Sequence, residues 1–247
     1  MIASIRLALS PDDALMPTIR DALKKFLGET GEGNRRSMLS PFRIIDLFGK
    51  YLDDYGHEDL NDFERARFDR EWSEDNRFCD IFGPDHIQPF HINFFLNTFV
   101  IRKVMGTRGF LKACGPVMEK LATWLLAQEH WDEDAMRYYR ELVGDDVGGD
   151  LVCCEEFTRA LHDYVANHPA EDDADFDEDD YFDDQFTIKK VEPGKLILDG
   201  LIDGDEDITI SLPKSVTDKA RTGWSVTMEL ARIRDKWHIL GVGNVYP

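Results

Sequence analysis

Carboxylates are the most abundant chemically active groups in this chain, since 49 of its 247 residues are Asp or Glu against 29 Lys or Arg. Asp203, Asp205 and Asp207 have the alternating spacing that begins a calcium-binding loop. Ile208 and Lys214, however, stand where that loop requires a glycine and a bidentate glutamate. A calcium loop counted from Asp175 fails in the same way, because Asp180 stands at the glycine position and Phe186 at the glutamate position. The sequence therefore predicts no metal site among its acids.

Cysteine and histidine offer two further candidates for a metal site or a nucleophile. Cys79, His86 and His91 could converge on a zinc ion, but one Cys and two His at irregular spacing around prolines are more typical of packing and turn residues. Cys153 and Cys154 are adjacent in a predicted helix, where their side chains point about 100° apart. No basic residue lies close to them along the chain to lower a thiol pKa. We therefore predict no catalytic residue and interpret the chain as non-enzymatic.

Two glycine-containing stretches come close to nucleotide-binding motifs. Residues 28–36 have the glycine spacing of a phosphate loop, but Asn34-Arg35 stands where that loop needs Lys followed by Ser or Thr. Gly241 and Gly243 lie in a predicted strand and lack the third glycine and the following helix of a dinucleotide site, so they predict a bulge or close packing. No cofactor is predicted. A hydrolase with an unrecognised carboxylate site stays open as a third alternative.

The basic and aromatic residues of the C-terminal part are the remaining candidates for a binding surface. Such a mixture suits base stacking and phosphate contact if the side chains are exposed together. The alternative is that both tryptophans belong to the core, since each shares strand parity with apolar residues. The candidates are Lys189, Lys190, Trp224, Arg232, Arg234, Trp237, His238 and Tyr246.

The elements that position these residues change character at an acidic segment, residues 171–184, which contains no basic residue. Like charge and a lack of apolar surface predict an extended, solvated linker there. Apolar residues recur at helical spacing before the segment and alternate with a period of two after it. We predict an all-α domain over residues 1–169, an acidic linker over 170–184 and a β-domain over 185–247.

Start and stop signals divide the N-terminal part into six or seven helices. Ser10-Pro11 and Ser40-Pro41 are typical helix starts, and Asn61-Asp62-Phe63-Glu64 has the spacing of a capping box. Residues 90–105 are apolar nearly all round, which predicts a buried central helix. Gly115-Pro116 predicts a kink or a break midway along the next helix.

Five strands are predicted after the linker, over residues 186–191, 195–201, 207–212, 224–233 and 237–246, with a short helix at 213–220. Five strands with a helix between the third and the fourth follow the order of an oligonucleotide/oligosaccharide-binding (OB) barrel, and this part resembles one in its compact form. Other small-barrel topologies stay open. The predicted class is α+β in two domains, a multi-helix all-α domain followed by a small five-stranded, OB-like β-barrel.

Three helical stretches share their apolar spacing with a known module. They are Pro41-Phe42-Arg43-Ile44-Ile45-Asp46-Leu47-Phe48-Gly49-Lys50-Tyr51-Leu52, residues 91–102, and Leu111 to Trp124-Leu125 followed by Glu129-His130-Trp131-Asp132. Together, residues 40–132 resemble the helical core-binding domain of tyrosine recombinases, which in that family clamps DNA ahead of a catalytic domain. The family's catalytic Arg, His and Tyr constellation has no counterpart here, so the resemblance implies a fold and no functional residues.

The charge distribution bears on the class of partner. The net charge is −20, and it falls on the helical part and the acidic segment, while residues 185–247 are close to neutral. An acidic surface repels phosphates and anionic lipid, which disfavours nucleic-acid binding by the helical part. No apolar run approaches the about 20 residues that span a bilayer, and the cysteine spacing fits a reducing compartment.

These observations favour a cytoplasmic binding or adaptor protein that acts through protein–protein contacts with an unknown partner and does not contact membranes. The alternative is a protein that binds single-stranded DNA or RNA through the C-terminal barrel.

Overall fold

A computed structural model describes residues 17–30, 40–104, 106–144, 147–169, 181–199 and 207–247. Within these ranges helices precede a five-stranded antiparallel sheet, so the class is α+β. The chain divides into two compact units. The helical unit comprises Met1–Phe95 and Pro116–Gly144, and the sheet unit comprises Leu96–Gly115 and Asp145–Pro247.

The described helices vary from single turns to 21 residues. They are α1 (Ile19–Glu29), α2 (Pro41–Tyr55), α3 (Asp62–Glu71), α4 (Phe78–Ile81), a 3₁₀ turn (Pro84–His86), α5 (Pro89–Phe94), a π-helical segment (Phe95–Val100), α6 (Ile101–Lys103), α7 (Arg108–Ala127), α8 (Glu133–Val143), α9 (Val147–Asn167) and α10 (Lys214–Thr217). The division between the two units falls inside α7, at the Gly115-Pro116 step where a kink or break was predicted, and α7 continues through it as one helix.

Side-chain caps fix where several helices begin. The predicted capping box is confirmed, because the Asn61 side chain accepts from the backbone N–H of Glu64 while the Glu64 carboxylate accepts from the backbone N–H of Asn61. Thr18 caps α1 by accepting from the N–H of Asp21. The predicted helix start at Ser10-Pro11 lies outside the described residues.

The predicted central helix at residues 90–105 is buried only in part and is not one continuous α-helix. Its described residues belong to α5, the π-helical segment and α6. Phe95, Leu96 and Val100 are each 0% exposed, whereas Phe94 is 53% exposed and Arg102 and Lys103 are exposed, so the predicted burial holds for part of the segment. A π-helical segment rotates the residues that follow it relative to an unbroken α-helix, and such segments are frequent at functional sites.

The core of the helical unit is rich in aromatic rings, as the packing of Phe48 against Phe95 at 5.2 Å illustrates. An ionic cluster lies at its edge. Arg20 of α1 donates to Asp53 of α2 at 2.9 Å and to Asp80 of α4 at 2.8 Å. These charge-assisted hydrogen bonds join three helices that are distant in sequence.

The sheet has the strand order β3-β2-β1-β4-β5, with every neighbouring pair antiparallel. The strands are β1 (Tyr181–Glu192), β2 (Lys195–Leu198), β3 (Ile208–Ser211), β4 (Ser225–Ile233) and β5 (Lys236–Tyr246). The long strand β1 serves both halves. Its residues 181–187 pair with β4, and its residues beyond a register shift at Ile188 pair with β2. The sheet is not closed, so the described strands give the predicted strand sequence without a barrel.

The core of the sheet unit contains one face of α9. Cys154, Phe157 and Leu161 are almost fully buried among alternate residues of the strands, because their i, i+3, i+7 spacing lines up one helix face. Helix α9 (Val147–Asn167) therefore groups with the sheet, whereas the predicted boundary assigned it to a helical domain ending at 169. Periodicity identifies a helix but not the unit it packs in.

The start of the sheet also differs from the prediction. β1 begins at Tyr181, so residues 181–184 of the predicted linker are strand residues paired with β4. Pairing with a central strand compensates for the carboxylates of Asp183 and Asp184, whose side chains stay exposed. The rest of the predicted linker, residues 170–180, lies outside the described residues.

Candidate functional site

A cleft of about 700 Å³ in the sheet unit is the first candidate for a functional site. Its volume lies in the usual range of ligand sites. Its walls come from α6, the start of α7, α9 and the end of β5. The lining residues are Val100, Ile101, Arg102, Lys103, Val104, Gly106, Leu111, Leu151, Glu155, Thr158, Arg159, His162, Asn244 and Val245.

Helical periodicity explains the contribution of α9. Leu151, Glu155, Thr158 and His162 follow one another at intervals of three or four residues, so they form a stripe along the helix. This stripe lies beside the apolar stripe that enters the core. The same helix therefore anchors the unit and presents a polar wall to the cleft.

A β-bulge explains the contribution of β5. Val226 pairs with Val245 and Met228 pairs with Val242, so Thr227 alone lies opposite two residues of β5. A bulge breaks the alternation of side chains along a strand and re-aims one of them. Asn244 and Val245 consequently both line the cleft, although they are consecutive.

The glycines at this bulge confirm the prediction of close packing. A Cβ atom at Gly241 would lie 2.9 Å from the carboxylate of Glu229, and one at Gly243 would lie 3.0 Å from the Thr227 side chain. Larger residues would therefore disturb the pairing of β4 with β5.

The cleft is cationic in a protein whose net charge is −20. Arg102, Lys103, Arg159 and His162 are all exposed at its walls, and Glu155 is the one acid among the lining residues. The Glu155 carboxylate is already paired, because it accepts a hydrogen bond from Arg159 at 3.0 Å. Arg102 and Lys103 have no ion-pair partner within the described ranges. The apolar floor and basic rim suit an anionic group attached to apolar side chains.

The eight predicted binding residues do not come together. Arg232, Arg234, Trp237 and His238 lie at the β4–β5 hairpin, and Tyr246 lies at the far end of β5. Tyr246 lies nine positions after Trp237, which is about 30 Å of strand at the usual rise. Tyr246 approaches the cationic cleft, since its hydroxyl accepts from the side-chain amide of Asn244 at 3.4 Å.

Trp224 and Trp237 do not form an exposed surface for base stacking. Trp224 is a correction to the predicted binding residues, because it is 5% exposed and its ring lies 6.4 Å from that of Phe157 in the core. Trp237 is half-buried, with its ring 5.6 Å from that of Phe182. The alternative drawn from strand parity, that Trp224 is a core residue, is the one that holds.

The two predicted lysines on β1 are exposed but already engaged. Lys189 donates to Asp207 at 2.8 Å and lies 3.4 Å from Asp199, and these carboxylates raise the pKa of Lys189. Glu192 lies 2.7 Å from Lys190 and raises its pKa likewise. An incoming phosphate would have to displace these carboxylates.

The cysteines show one contact that sequence reasoning missed. Cys153 is half-buried, and its Sγ accepts from Arg221 at 3.3 Å, although 68 positions separate the two residues. Arg221 is also paired with Asp150 and lies over the Trp224 ring at 5.3 Å. Asp150 already balances the charge of Arg221. Through its contacts with Asp150 and Cys153, Arg221 connects α9 to the loop before β4.

The structure does not bring Cys79, His86 and His91 together as a set of three metal ligands. Cys79 is fully buried and its thiol donates to the backbone carbonyl of Gly49 at 3.4 Å, while burial raises its pKa. His86 and His91 line a second cleft, in the helical unit. Among the described residues no group of three or more His, Cys, Asp or Glu side chains is arranged to hold a metal ion.

The sequence contained one usable signal for the cationic cleft. Arg102-Lys103 follows directly on an apolar run, and Arg159 and His162 repeat at helical spacing on α9. What joins them is tertiary packing, which brings both α6 and α9 against β5. Spacing along the chain does not predict that contact.

Comparison with protein-family models, characterised proteins and solved structures finds no match to this chain. The resemblance of residues 40–132 to a core-binding domain therefore stays a prediction. None of the described helices combines the length and the apolar character needed to cross a membrane.

Proposed function

We propose that this chain is a non-enzymatic adaptor of the cytoplasm, and that its cationic cleft holds an acidic, partly apolar segment of a partner protein. The observation that carries this proposal is the pair Arg102 and Lys103. Both are exposed at the mouth of an apolar-floored cleft and lack ion-pair partners in the described chain, while the protein as a whole is strongly acidic. Such a cleft selects an anion against the general charge of the molecule.

The lining of the cleft favours a peptide over a nucleic acid. Binding of single strands relies on exposed aromatic rings for base stacking, and the lining contains no Phe, Tyr or Trp. About half of the lining is aliphatic, which suits leucine-like side chains of a peptide. A polyphosphate chain extending beyond the cleft would also meet the repulsion of a net charge of −20.

The energetics indicate a weak, exchangeable complex. Exposed ion pairs contribute about 0.2–1 kcal/mol each, so the basic rim supplies orientation and rate of association more than affinity. Burial of the partner's apolar side chains on the floor of the cleft supplies the larger part of the binding free energy, at roughly 25 cal/mol per Å² of buried apolar surface. Affinity should fall with salt because the rim is solvent-exposed.

Fluorescence anisotropy of the full chain with a labelled acidic, leucine-containing peptide tests the proposal. The cleft variant Arg102→Gln/Lys103→Gln removes two charges from the rim. The matched control Arg232→Gln/Lys236→Gln removes the same charge from the β4–β5 hairpin. We expect the cleft variant to lose about two- to thirtyfold in affinity, while the control binds like the natural chain.

An oligothymidylate of equal charge distinguishes the partner classes. Equal loss in both variants would mean that net charge alone drives binding and would overturn the assignment to the cleft. Tighter binding of the oligonucleotide than of the peptide would replace the adaptor by a nucleic-acid-associated protein.

The second candidate function is binding of single-stranded nucleic acid by an OB-like barrel. Its support is the strand order together with an approach of β3 to β5 within 8 Å between Cα atoms, and α10 lies between β3 and β4 as in that topology. The basic hairpin residues Arg232, Arg234 and His238 are the groups it would use. Loss of oligonucleotide binding in the hairpin variant alone would favour this candidate.

The cytoplasmic location is supported by the cysteines. All four are free thiols, and burial raises the pKa of Cys114 to about 12, which keeps it protonated and unreactive. Fractionation of the native cell, with detection in the soluble cytoplasmic fraction, tests this part of the proposal.

A further inference from the structure

The helical unit contains a second cleft, of about 570 Å³, with a different chemistry. Three carboxylates, two imidazoles and an amide line it, next to apolar side chains. The residues are Gly56, Asp59, Leu60, Glu64, Phe78, Asp85, His86, Gln88, Phe90 and His91. The adaptor proposal does not use any of them.

His91 is the buried polar group of this cleft, with 3% of its surface exposed. Its Nδ1 accepts a hydrogen bond from the backbone N–H of Gln88 at 3.0 Å, so in the neutral ring the proton is on Nε2. Burial, together with the charge of His86, lowers the pKa of His91 to about 4, which keeps the ring neutral at physiological pH. His91 is therefore a fixed N–H donor.

That donor has no hydrogen-bond partner, since Nε2 is buried and unpaired. The nearest carboxylate oxygen, Oδ2 of Asp59, lies 3.9 Å away, beyond the about 3.2 Å limit of an N–H···O hydrogen bond. A hydroxyl group accepts and donates at once, so one hydroxyl can accept from Nε2 and donate to Asp59. Asp59 is 59% exposed, so its side chain can turn aside to admit a ligand.

The rest of the cleft adds charge and a second orphan atom. His86 Nε2 lies 3.2 Å from Glu64, while its Nδ1 is buried without a partner. Asp85 is hydrogen-bonded to His130 at 2.7 Å. Asp59 has no such close partner, and it leaves the cleft with negative charge that favours a cationic ligand.

We propose that this cleft binds a polyhydroxylated amine of the amino-sugar class. A hydroxyl joins His91 to Asp59, the ammonium group faces the carboxylates, and Leu60 and Phe90 cover the carbon skeleton. The volume of about 570 Å³ suits a ligand of this size. The site is independent of the cationic cleft, and it can fail or hold without affecting the adaptor proposal.

The test is a titration of the ¹⁵N-labelled full chain at pH 6.5 with glucosamine, followed through the imidazole resonances of its seven histidines. A His91→Gln variant assigns the His91 signals. Methyl glucoside supplies the hydroxyls without the amine, and ethylamine supplies the amine without the hydroxyls. Asp59→Asn removes the carboxylate, and Asp69→Asn, at an exposed position of α3, is the matched control.

We expect glucosamine to shift the His91 and His86 resonances saturably and each single-function probe to bind about tenfold or more weakly. Asp59→Asn should reduce the affinity by a similar factor, and Asp69→Asn should not. Absence of a saturable His91 shift up to about 10 mM glucosamine would overturn the proposal. Equal binding of ethylamine, or an unchanged affinity in Asp59→Asn, would do so as well.

Discussion

The two clefts have similar volumes and opposite designs. In the sheet unit the bases Arg102 and Lys103 are exposed at the rim of the cleft, and the buried lining residues are apolar. In the helical unit the cleft is acidic, and its most informative polar group, His91, is buried with an unpaired N–H. An exposed charged rim suits a large partner that brings its own surface, whereas a buried unpaired donor suits a small ligand that enters the cleft.

The difference has a structural origin. The cationic cleft is built on long regular elements, α9 and β5, which also contribute residues to a core. The acidic cleft is built from short turns between α2 and α5, where a 3₁₀ turn and α5 place three polar side chains, Asp85, His86 and Gln88, near His91. Regular elements present side chains at fixed intervals, whereas connecting segments often carry the residues of a binding site.

The largest expected effect tests whether α9 belongs to the sheet unit. Phe157→Ala removes a fully buried ring that packs on Trp224, so it should destabilise the protein by about 3–5 kcal/mol. Urea unfolding followed by tryptophan fluorescence measures this loss. Phe63→Ala, at a position 82% exposed, is the control and should cost well under about 1 kcal/mol. Equal effects of the two variants would contradict the grouping of α9 with the sheet.

The next effect concerns the acidic cleft and pH. The pKa of His91 is lowered to about 4 in the folded state, below the about 6.5 of an unfolded chain. The unfolded state therefore takes up the proton first, so the contribution of neutral His91 to stability is complete above pH 6.5 and is lost as the pH falls toward 4. The free energy of unfolding lost in this way is about 3 kcal/mol once the pH is below both pKa values.

This prediction is measured by urea unfolding of the natural chain and of His91→Asn at several values between pH 6.5 and 4.5. The variant should show a distinctly shallower loss of stability with acid. Parallel pH profiles for the two proteins would mean that His91 is accessible to protons in the folded state, contrary to its burial.

A smaller effect is expected at the ionic cluster of the helical unit. Hydrogen bonds from Arg20 hold the pKa of Asp80 below its ordinary value. Because the folded pKa is depressed, the stabilisation is present above about pH 3.9 and disappears as the pH falls through the folded pKa. Asp80→Asn should therefore cost about 1–2 kcal/mol near pH 7 and progressively less as the pH falls through the folded pKa of Asp80.

The control is Asp46→Asn, which removes an exposed ion pair to Lys50 with an oxygen–nitrogen distance of 2.8 Å. Exposed helix pairs contribute about 0.3–0.5 kcal/mol. Thermal unfolding over this pH range separates the two cases. Arg20 donates two hydrogen bonds to Asp80, one to each carboxylate oxygen. If Asp46→Asn cost as much as Asp80→Asn, this pair of hydrogen bonds would not distinguish the cluster from a surface ion pair.

Local features of the fold were predictable from the sequence, because their causes are local. The capping box at Asn61 and Glu64 depends on residues three apart, and the strands after residue 185 follow from alternation of apolar side chains. Even the core position of Trp224 follows from its parity with Val226. The start of β1 at Tyr181 was not predicted, because a run of carboxylates is not typical of a strand. Pairing with β4 stabilises this part of β1.

The candidate sites were not predictable in the same way, because each depends on contacts between distant segments. Arg102 and Arg159 line one cleft although 57 positions separate them. The orphan N–H of His91 exists only because the backbone of Gln88 takes up Nδ1, a detail of turn geometry. The charge distribution likewise disfavoured anion binding by the helical part, whereas Arg102, Lys103 and Arg159 from that part line one cleft.

The most direct test of the central claim is a map of backbone chemical-shift changes in the ¹⁵N-labelled full chain upon addition of the acidic, leucine-containing peptide. Binding in the cationic cleft should give changes concentrated at residues 100–104 and Gly106, along the cleft stripe of α9 from Leu151 to His162, and at Asn244 and Val245. Changes centred on the β4–β5 hairpin or on the acidic cleft, or no saturable changes at all, would contradict it.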